Sequence, residues 1–93
     1  MPAATQDISL VVDESVPAGA IAQALRAGAS ELLEEIQIVD DYRGQGIQEG
    51  KKSLTFALRF RAKDRTLTQA EVTKERDQAV AKVAAEFGAE LRA

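Results

Sequence analysis

The sequence predicts an α+β fold in which a four-stranded antiparallel sheet carries two helices on one face. Some segments place apolar residues at every second position and others at every third or fourth, which are the periods of strands and helices. The segments follow the order β-α-β-β-α-β, and right-handed crossovers then put both helices on the same side of the sheet. This is the ferredoxin-like, split βαββαβ arrangement, and it leaves the other sheet face open.

The first part of the chain predicts a strand and a short helix. In the segment DISLVV, residues 7–12, apolar side chains alternate from Ile8 to Val12, so we expect one buried face. Pro17 stands at a helix-opening position and Gly28 at a C-terminal stop. The apolar side of this helix consists of Ile21, Ala24 and Leu25.

The next two strands are expected to pair as a hairpin. Ile36 and Ile38 alternate with Glu35, Gln37 and Val39 in a second strand that reaches about Tyr42. The third strand, residues 53–61, has apolar positions that should face the helices: Leu54, Phe56, Leu58 and Phe60. The open side then receives Ser53, Thr55, Ala57, Arg59 and Arg61. We therefore expect an open face of small and basic residues that suits a ligand.

The last part of the chain predicts a long helix and a short strand. Thr68 and Glu71 have the spacing of a capping box, and Gly88 is a typical helix end. The apolar stripe between them consists of Val72, Ala79, Val80, Val83, Ala84 and Phe87. Residues 89–92 would form the fourth strand. Together, residues 1–93 are expected to form a single domain, since this length suits one small core.

Composition excludes much enzyme chemistry. The chain has no Cys and no His, which removes disulfides, thiolate and histidine catalysis, and nearly every zinc site. The acidic pairs Asp40–Asp41 and Glu34–Glu35 are sequence neighbours, and neighbours on a strand point to opposite faces, so we expect neither pair to share a site. We predict no catalytic residues, metal or cofactor. No apolar run approaches the roughly 20 residues of a membrane span, which favours a soluble, cytoplasmic protein that binds no membrane.

Charge is unevenly distributed along the chain. Residues 43–65 hold seven basic residues against two acidic ones, whereas residues 1–42 hold one basic residue against eight acidic ones. A local basic stretch can be an ordinary solvated surface or a site for a polyanion. The pattern alone leaves both interpretations open.

The glycine-rich segment DDYRGQGIQEGKKSLTF, residues 40–56, raises the question of a phosphate loop. Its glycines, Gly44, Gly46 and Gly50, are spaced G-x-G-x-x-x-G and lie between two strands. A dinucleotide site needs a different spacing and a following helix N-terminus. We therefore predict a hairpin loop in which glycine supplies positive φ angles.

Several separate motifs in this chain carry a more specific signal. They are D-x-Y-R-G-x-G-x-x-x-G-K-K-S-L, then F-R-x-x-D-R-T-L-T-x-x-E-V, with V-P-A-G-x-I upstream and G-A-x-L-R at the end. In this order they resemble the ferredoxin-fold anticodon-binding domain that closes the beta subunit of bacterial phenylalanine–tRNA ligase. The resemblance spans nearly the whole chain. It departs from the family where Met1 replaces an aromatic residue and where Thr5 and Gln6 replace arginines.

The resemblance implies a module that holds the anticodon stem-loop of phenylalanine tRNA, while aminoacylation occurs elsewhere in the enzyme. The partners would be that tRNA, the rest of the beta subunit and the alpha subunit, with no DNA. Met1 would then be an added start of an excised domain. The residues expected to bind RNA are Tyr42, Arg43, Lys51, Lys52, Ser53, Arg59, Arg61 and Arg65.

Physical chemistry assigns these residues two kinds of contact. Single-stranded loops are held by aromatic stacking, and Arg and Lys position the phosphates. For Tyr42 two interpretations remain open. The resemblance implies a ring that stacks on a base, whereas the alternation with Ile36 and Ile38 favours a tyrosine at the rim of the core. Two other functions also remain open: a small-molecule regulatory module and a docking domain that uses the open face.

Overall fold

The computed structural model describes residues 3–92 and contains the six predicted elements in the predicted order. They are β1 (Ala4–Asp13), α1 (Ala18–Gly28), β2 (Leu33–Tyr42), β3 (Lys51–Phe60), α2 (Gln69–Phe87) and β4 (Glu90–Leu91). The strands form one antiparallel sheet in the order β2-β3-β1-β4. The predicted fold class is confirmed. The expectation for Met1 lies outside the described residues.

The core lies between the sheet and the two helices. Alternate residues of β1 and β3 supply its sheet side: Ile8, Leu10, Val12, Leu54, Phe56, Leu58 and Phe60. The helices add Ile21 and Leu25 from α1, and Val72 and Val83 from α2. Burial of these apolar side chains is the main force that holds the two layers together. Ala84, which we expected in the apolar stripe of α2, is exposed.

No helix within residues 3–92 has the length and hydropathy needed to cross a lipid bilayer.

Gly28 is the last residue of α1, as predicted, but the reason differs from the expected one. Its φ angle is not positive, unlike that of Gly88, which ends α2 at φ 66°. An added Cβ at Gly28 would lie 2.6 Å from the Cβ of Lys82. Gly28 therefore allows α1 and α2 to approach each other closely.

Glu75 on α2 is a buried charge that the sequence analysis did not identify. Its side chain is 8% exposed and accepts hydrogen bonds from the backbone N–H of Ser30, at 2.9 Å, and from the Ser30 hydroxyl, at 2.7 Å. These bonds satisfy one carboxylate oxygen, since Oε1 accepts both. Glu75 therefore ties α2 to the turn that leads into β2.

The predicted capping box begins α2. The backbone N–H of Glu71 donates to the Thr68 hydroxyl at 3.1 Å, and Glu71 Oε1 accepts from the backbone N–H of Thr68 at 3.0 Å. The hydrogen bond from Thr68 is the largest cause holding the pKa of Glu71 below its usual value, and Arg65 adds to it.

Replacing Thr68 with alanine is expected to lower the free energy of unfolding by about 1 kcal/mol, because the N–H of Glu71 loses its acceptor. Thr68→Ser keeps the hydroxyl and is the matched control. Urea denaturation of both variants measures the difference. Equal midpoints for Thr68→Ala and the unmodified chain would contradict a stabilising cap.

The edge strand β2 departs from simple alternation at two positions. Its register against β3 shifts between Leu33 and Glu35 and again between Ile38 and Asp40, so Glu34 and Val39 are the extra residues of two bulges. Each extra residue moves the following side chains to the opposite face. Residues beyond Val39 therefore have the opposite phase to that predicted from Ile36 and Ile38.

Candidate nucleic-acid interface

The open face is the sheet surface opposite the helices, and its centre is small and polar. Thr55 and Ala57 of β3 lie there, beside Ser9 and Asp7 of β1. The Ser9 and Thr55 hydroxyl oxygens are hydrogen-bonded at 2.7 Å. The small side chains of Ser9, Thr55 and Ala57 allow a planar ligand to approach the backbone closely.

Tyr42 lies on the open face, at the end of β2. It pairs with Ser53, whose neighbours Leu54 and Lys52 face the helices. The Tyr42 side chain is exposed, and its hydroxyl donates a hydrogen bond to the carbonyl oxygen of Gln45 at 2.7 Å. The interpretation of Tyr42 as a tyrosine at the rim of the core is wrong, because the bulge at Val39 reverses the alternation. The sequence contains one indication of this bulge: Val39 directly follows Ile38, and two consecutive apolar residues interrupt the alternation of the strand.

Arg92 lies close to Tyr42, a contact that the sequence analysis did not predict. Its guanidinium carbon lies 5.9 Å from the centre of the Tyr42 ring, within the range of a cation–π interaction. Arg92 follows the edge strand β4, whereas Tyr42 ends the opposite edge strand β2. The motif G-A-x-L-R contains this arginine, but nothing in the sequence indicates that it reaches across the sheet.

The adjacent lysines of β3 lie on opposite sides of the sheet. Lys51 shares the open face with Ser53, and its ammonium forms an ion pair with Asp13 at 2.9 Å. Lys52 lies on the helix-facing side opposite Val12 and is 5% exposed. The prediction that Lys52 belongs to the same binding surface is therefore wrong, because alternation turns it away from the open face. Ser53 is on the predicted face but is 1% exposed.

Two arginines at the other end of β3 bind the same carboxylate. Arg59 Nε lies 2.8 Å from Glu34 Oε2, and Arg61 Nε lies 2.9 Å from Glu34 Oε1. Arg59 Nη2 also lies 3.3 Å from Glu35 Oε1. The hydrogen bond from Arg61 is the main cause that holds the pKa of Glu34 below its usual value. The expectation that Glu34 and Glu35 share no site is wrong, because the bulge at Glu34 brings both carboxylates to Arg59.

Arg43 and Arg65 lie in the two loops that flank β3. Arg43 contacts Asp41 at 3.3 Å, and this contact raises the pKa of the Arg43 guanidinium. Arg65 forms an ion pair with Glu71, and together with Arg61 it lines a cavity of about 640 Å³. Arg59 is six residues from Ser53 along β3, a distance of about 20 Å. The predicted RNA-binding residues therefore form two groups, one at the hairpin and one at the far end of the sheet.

The open face has mixed charge. Its strand positions carry Asp7, Asp13, Glu35, Asp40 and Glu90 beside Lys51 and Arg59. The expectation of a face that is basic throughout is wrong, whereas the small residues Thr55 and Ala57 do lie on the open face, as expected. The basic residues cluster in the sequence, but their carboxylate partners come from β1, β2 and α2. A polyanion that contacts Lys51 or Arg59 must therefore replace an existing ion pair.

The hairpin loop between β2 and β3 has the predicted backbone. Gly44, Gly46 and Gly50 have φ angles of 126°, 90° and 85°. Residues other than glycine rarely adopt these φ angles. The Gln45 carbonyl oxygen of this loop accepts the hydrogen bond from the Tyr42 hydroxyl, so the loop lies beside the exposed ring. Within residues 3–92, no three metal-ligating side chains come together.

Comparison with known proteins identifies relatives of this chain. A family model described as the ferredoxin-fold anticodon binding domain matches residues 1–92. The chain is 57% identical over 91 residues to the phenylalanine–tRNA ligase beta subunit of Leifsonia xyli subsp. xyli, and 55% identical over 91 residues to those of Thermobifida fusca and Mycobacterium leprae. Each match covers 98% of this chain and 11% of the relative. The chain therefore corresponds to a small part of these relatives.

Proposed function

Because this chain belongs to the family of ferredoxin-fold anticodon-binding domains, we propose that it binds the anticodon stem-loop of phenylalanine tRNA. It would act as one module of a phenylalanine–tRNA ligase beta subunit in the cytoplasm, together with an alpha subunit. Aminoacylation would take place elsewhere in that enzyme. The domain itself would contribute binding and no catalytic residue.

The observation that best supports this proposal is the position of Tyr42. Its ring is exposed on the open face beside small residues, and its hydroxyl is held by the Gln45 carbonyl. An exposed aromatic ring with a fixed orientation is a stacking platform for an unpaired base. An anticodon loop presents such bases, whereas the paired stem presents mainly phosphates.

Cations lie near this ring and also at the far end of β3, and both groups suit phosphates. Lys51 and Arg43 lie at the hairpin end, and Arg59, Arg61 and Arg65 at the far end, about 20 Å away along β3. Their ion pairs with carboxylates are exposed to solvent, and pairs of this kind contribute little to stability. A phosphate can therefore replace a carboxylate partner at small cost. We propose that the stem runs from the hairpin toward the far end.

The direct test is a titration of the folded domain with an anticodon stem-loop of phenylalanine tRNA, followed by NMR chemical shifts. We expect saturable shifts that are largest for open-face residues such as Tyr42, Thr55 and Ala57, and small for α2. A stem-loop with a scrambled loop sequence is the control. Shifts confined to the helices, or no binding, would contradict the proposal and favour a docking domain. A saturable response to a small metabolite alone would favour a regulatory module.

Replacing Tyr42 with alanine is expected to weaken stem-loop binding by about 1 to 3 kcal/mol, because the stacking platform is lost. The slope of log affinity against log salt should change little, since stacking releases no counterions. Tyr42→Phe keeps the ring and removes only the hydrogen bond to Gln45, so it should bind more tightly than Tyr42→Ala. Equal binding by Tyr42→Ala and the unmodified domain would contradict a stacking role.

The adjacent lysines provide a matched pair for the electrostatic test. Lys51→Met should make the salt slope shallower by about 0.7, the value for one phosphate contact to a single strand. Lys52→Met removes the same charge from the helix-facing side and should leave the slope unchanged. Affinities measured between low and moderate salt distinguish the two variants. Equal salt slopes for the two variants would contradict a phosphate contact that Lys51 makes from the open face.

A further inference from the structure

Arg92 is held over Tyr42 from the opposite edge of the sheet. Its backbone N–H donates to the carbonyl oxygen of Ser9 at 2.7 Å, which fixes the start of the side chain. The guanidinium lies 5.9 Å from the Tyr42 ring centre, and its Nη2 atom lies 3.9 Å from where a Cβ on Gly46 would be. The side chain therefore crosses the open face to the hairpin loop.

Arg92 also differs from the other cations of the open face in its electrostatic contacts. Lys51 and Arg59 each form an ion pair with a carboxylate. Within residues 3–92, no carboxylate oxygen lies within 4.0 Å of the Arg92 guanidinium. Its interaction within the described residues is with an aromatic ring. Arg92 can therefore contact RNA without first losing an ion pair.

The spacing of the two groups is close to that needed to hold one base. Stacked planar groups lie about 3.5 to 4 Å apart, so a base between two planes needs a gap of about 7 to 8 Å. The Arg92 guanidinium carbon lies 5.9 Å from the centre of the Tyr42 ring, so a displacement of about 1 to 2 Å makes room for a base. Tyr42 is fixed by its hydrogen bond to Gln45, whereas the long Arg92 side chain has several rotatable bonds. The movement can therefore come from Arg92 alone.

We propose that one unpaired base of the bound RNA is held between the Tyr42 ring and the Arg92 guanidinium. The base stacks on the ring, and the planar guanidinium covers its other face and adds a positive charge. This inference rests on the proposed function, because it takes RNA as the ligand. It adds Arg92 as a direct RNA contact and defines the class of group bound as a single flat base.

The test uses an anticodon stem-loop with 2-aminopurine at each unpaired loop position in turn. The variants are Arg92→Ala, Arg92→Lys, Tyr42→Ala and the double change of both residues to alanine. Lys82→Ala is the matched control, because it removes one positive charge from α2, where Lys82 pairs with Glu86. Denaturation midpoints confirm that every variant is folded.

We expect Arg92→Ala to weaken binding by about 3- to 30-fold, as for loss of a cation–π contact. Binding should quench the fluorescence of one loop position, and both Arg92→Ala and Tyr42→Ala should reduce that quenching. Arg92→Lys should keep the salt slope, because the charge is retained. It should recover little of the fluorescence quenching, because the ammonium group of lysine is not planar and cannot cover the face of the base. The double variant should lose less affinity than the two single losses combined, since both groups hold the same base.

Three outcomes would overturn this inference and leave the proposed function intact. The first is that Tyr42→Ala weakens binding while Arg92→Ala binds as tightly as the unmodified domain, or more tightly, as expected if Arg92 merely covers the ring. The second is that the two losses of affinity add fully. The third is an equal loss of affinity for Arg92→Ala and Lys82→Ala, which would reduce the effect to net charge. If the unmodified domain does not bind the stem-loop, the proposed function itself fails and the inference fails with it.

Discussion

Replacing Leu58 with alanine is expected to lower the free energy of unfolding by about 2 to 5 kcal/mol. Leu58 is fully buried in the middle of β3, opposite Ile36 on one side and Gln6 on the other. The change removes apolar contacts and leaves a cavity that a close-packed core fills only in part. A domain of this size has a total stability of only about 5 to 15 kcal/mol, so a large fraction would be lost.

Ile38→Ala is the matched control for Leu58→Ala. Ile38 lies on the same side of the sheet, opposite Phe56, but it belongs to the edge strand and is 50% exposed. Its truncation should cost about 1 kcal/mol or less. Urea denaturation of both variants, with the same m value, measures the difference. Equal losses would contradict the burial of Leu58 in the core.

Replacing Gly28 with alanine is expected to destabilise the domain by about 1 to 3 kcal/mol through overpacking. The new Cβ would lie 2.6 Å from Lys82 Cβ, 2.9 Å from the Gln78 carbonyl oxygen and 3.0 Å from Ala79 Cα. These atoms belong to the backbone of α2 or are directly bonded to it, so relief requires the two helices to separate. Alanine gains up to about 1 kcal/mol in helix propensity, which offsets the clash only in part.

Gly19→Ala makes the same change in the first turn of α1, where an added Cβ has no neighbour within 4 Å. This variant should be neutral or more stable by up to about 1 kcal/mol, because alanine restricts the unfolded chain. Opposite shifts of the two denaturation midpoints are the expected result. Equal stability of Gly19→Ala and Gly28→Ala would contradict close packing of α1 on α2.

Local patterns in the sequence predicted the elements that have strong and uninterrupted signals. The alternation of β3 from Leu54 to Phe60 and the capping box of Thr68 and Glu71 both match the structure. These features depend on residues close together in the chain, so a short window contains all the information needed. The motif resemblance extended the prediction to the family, and the comparisons confirm it.

Predictions for the candidate site were less successful because the site depends on contacts between distant segments. A basic cluster in the sequence became a face of mixed charge, because the partners of Lys51 and Arg59 come from β1 and β2. Lys52 lies away from that face. The role of Gly28 also could not be predicted, since it depends on a neighbour 54 positions later, Lys82.

The sequence by itself determined the order of the elements, most of the core and the family, because hydrophobic period, caps and motifs are local properties. The tertiary structure alone decided which face Tyr42 occupies and what lies above it. The bulge at Val39 turns Tyr42 to the open face, and the sheet order brings Arg92 over it from the other edge. Both depend on strand pairing, which joins residues far apart in the chain and is set by the packing of the whole sheet.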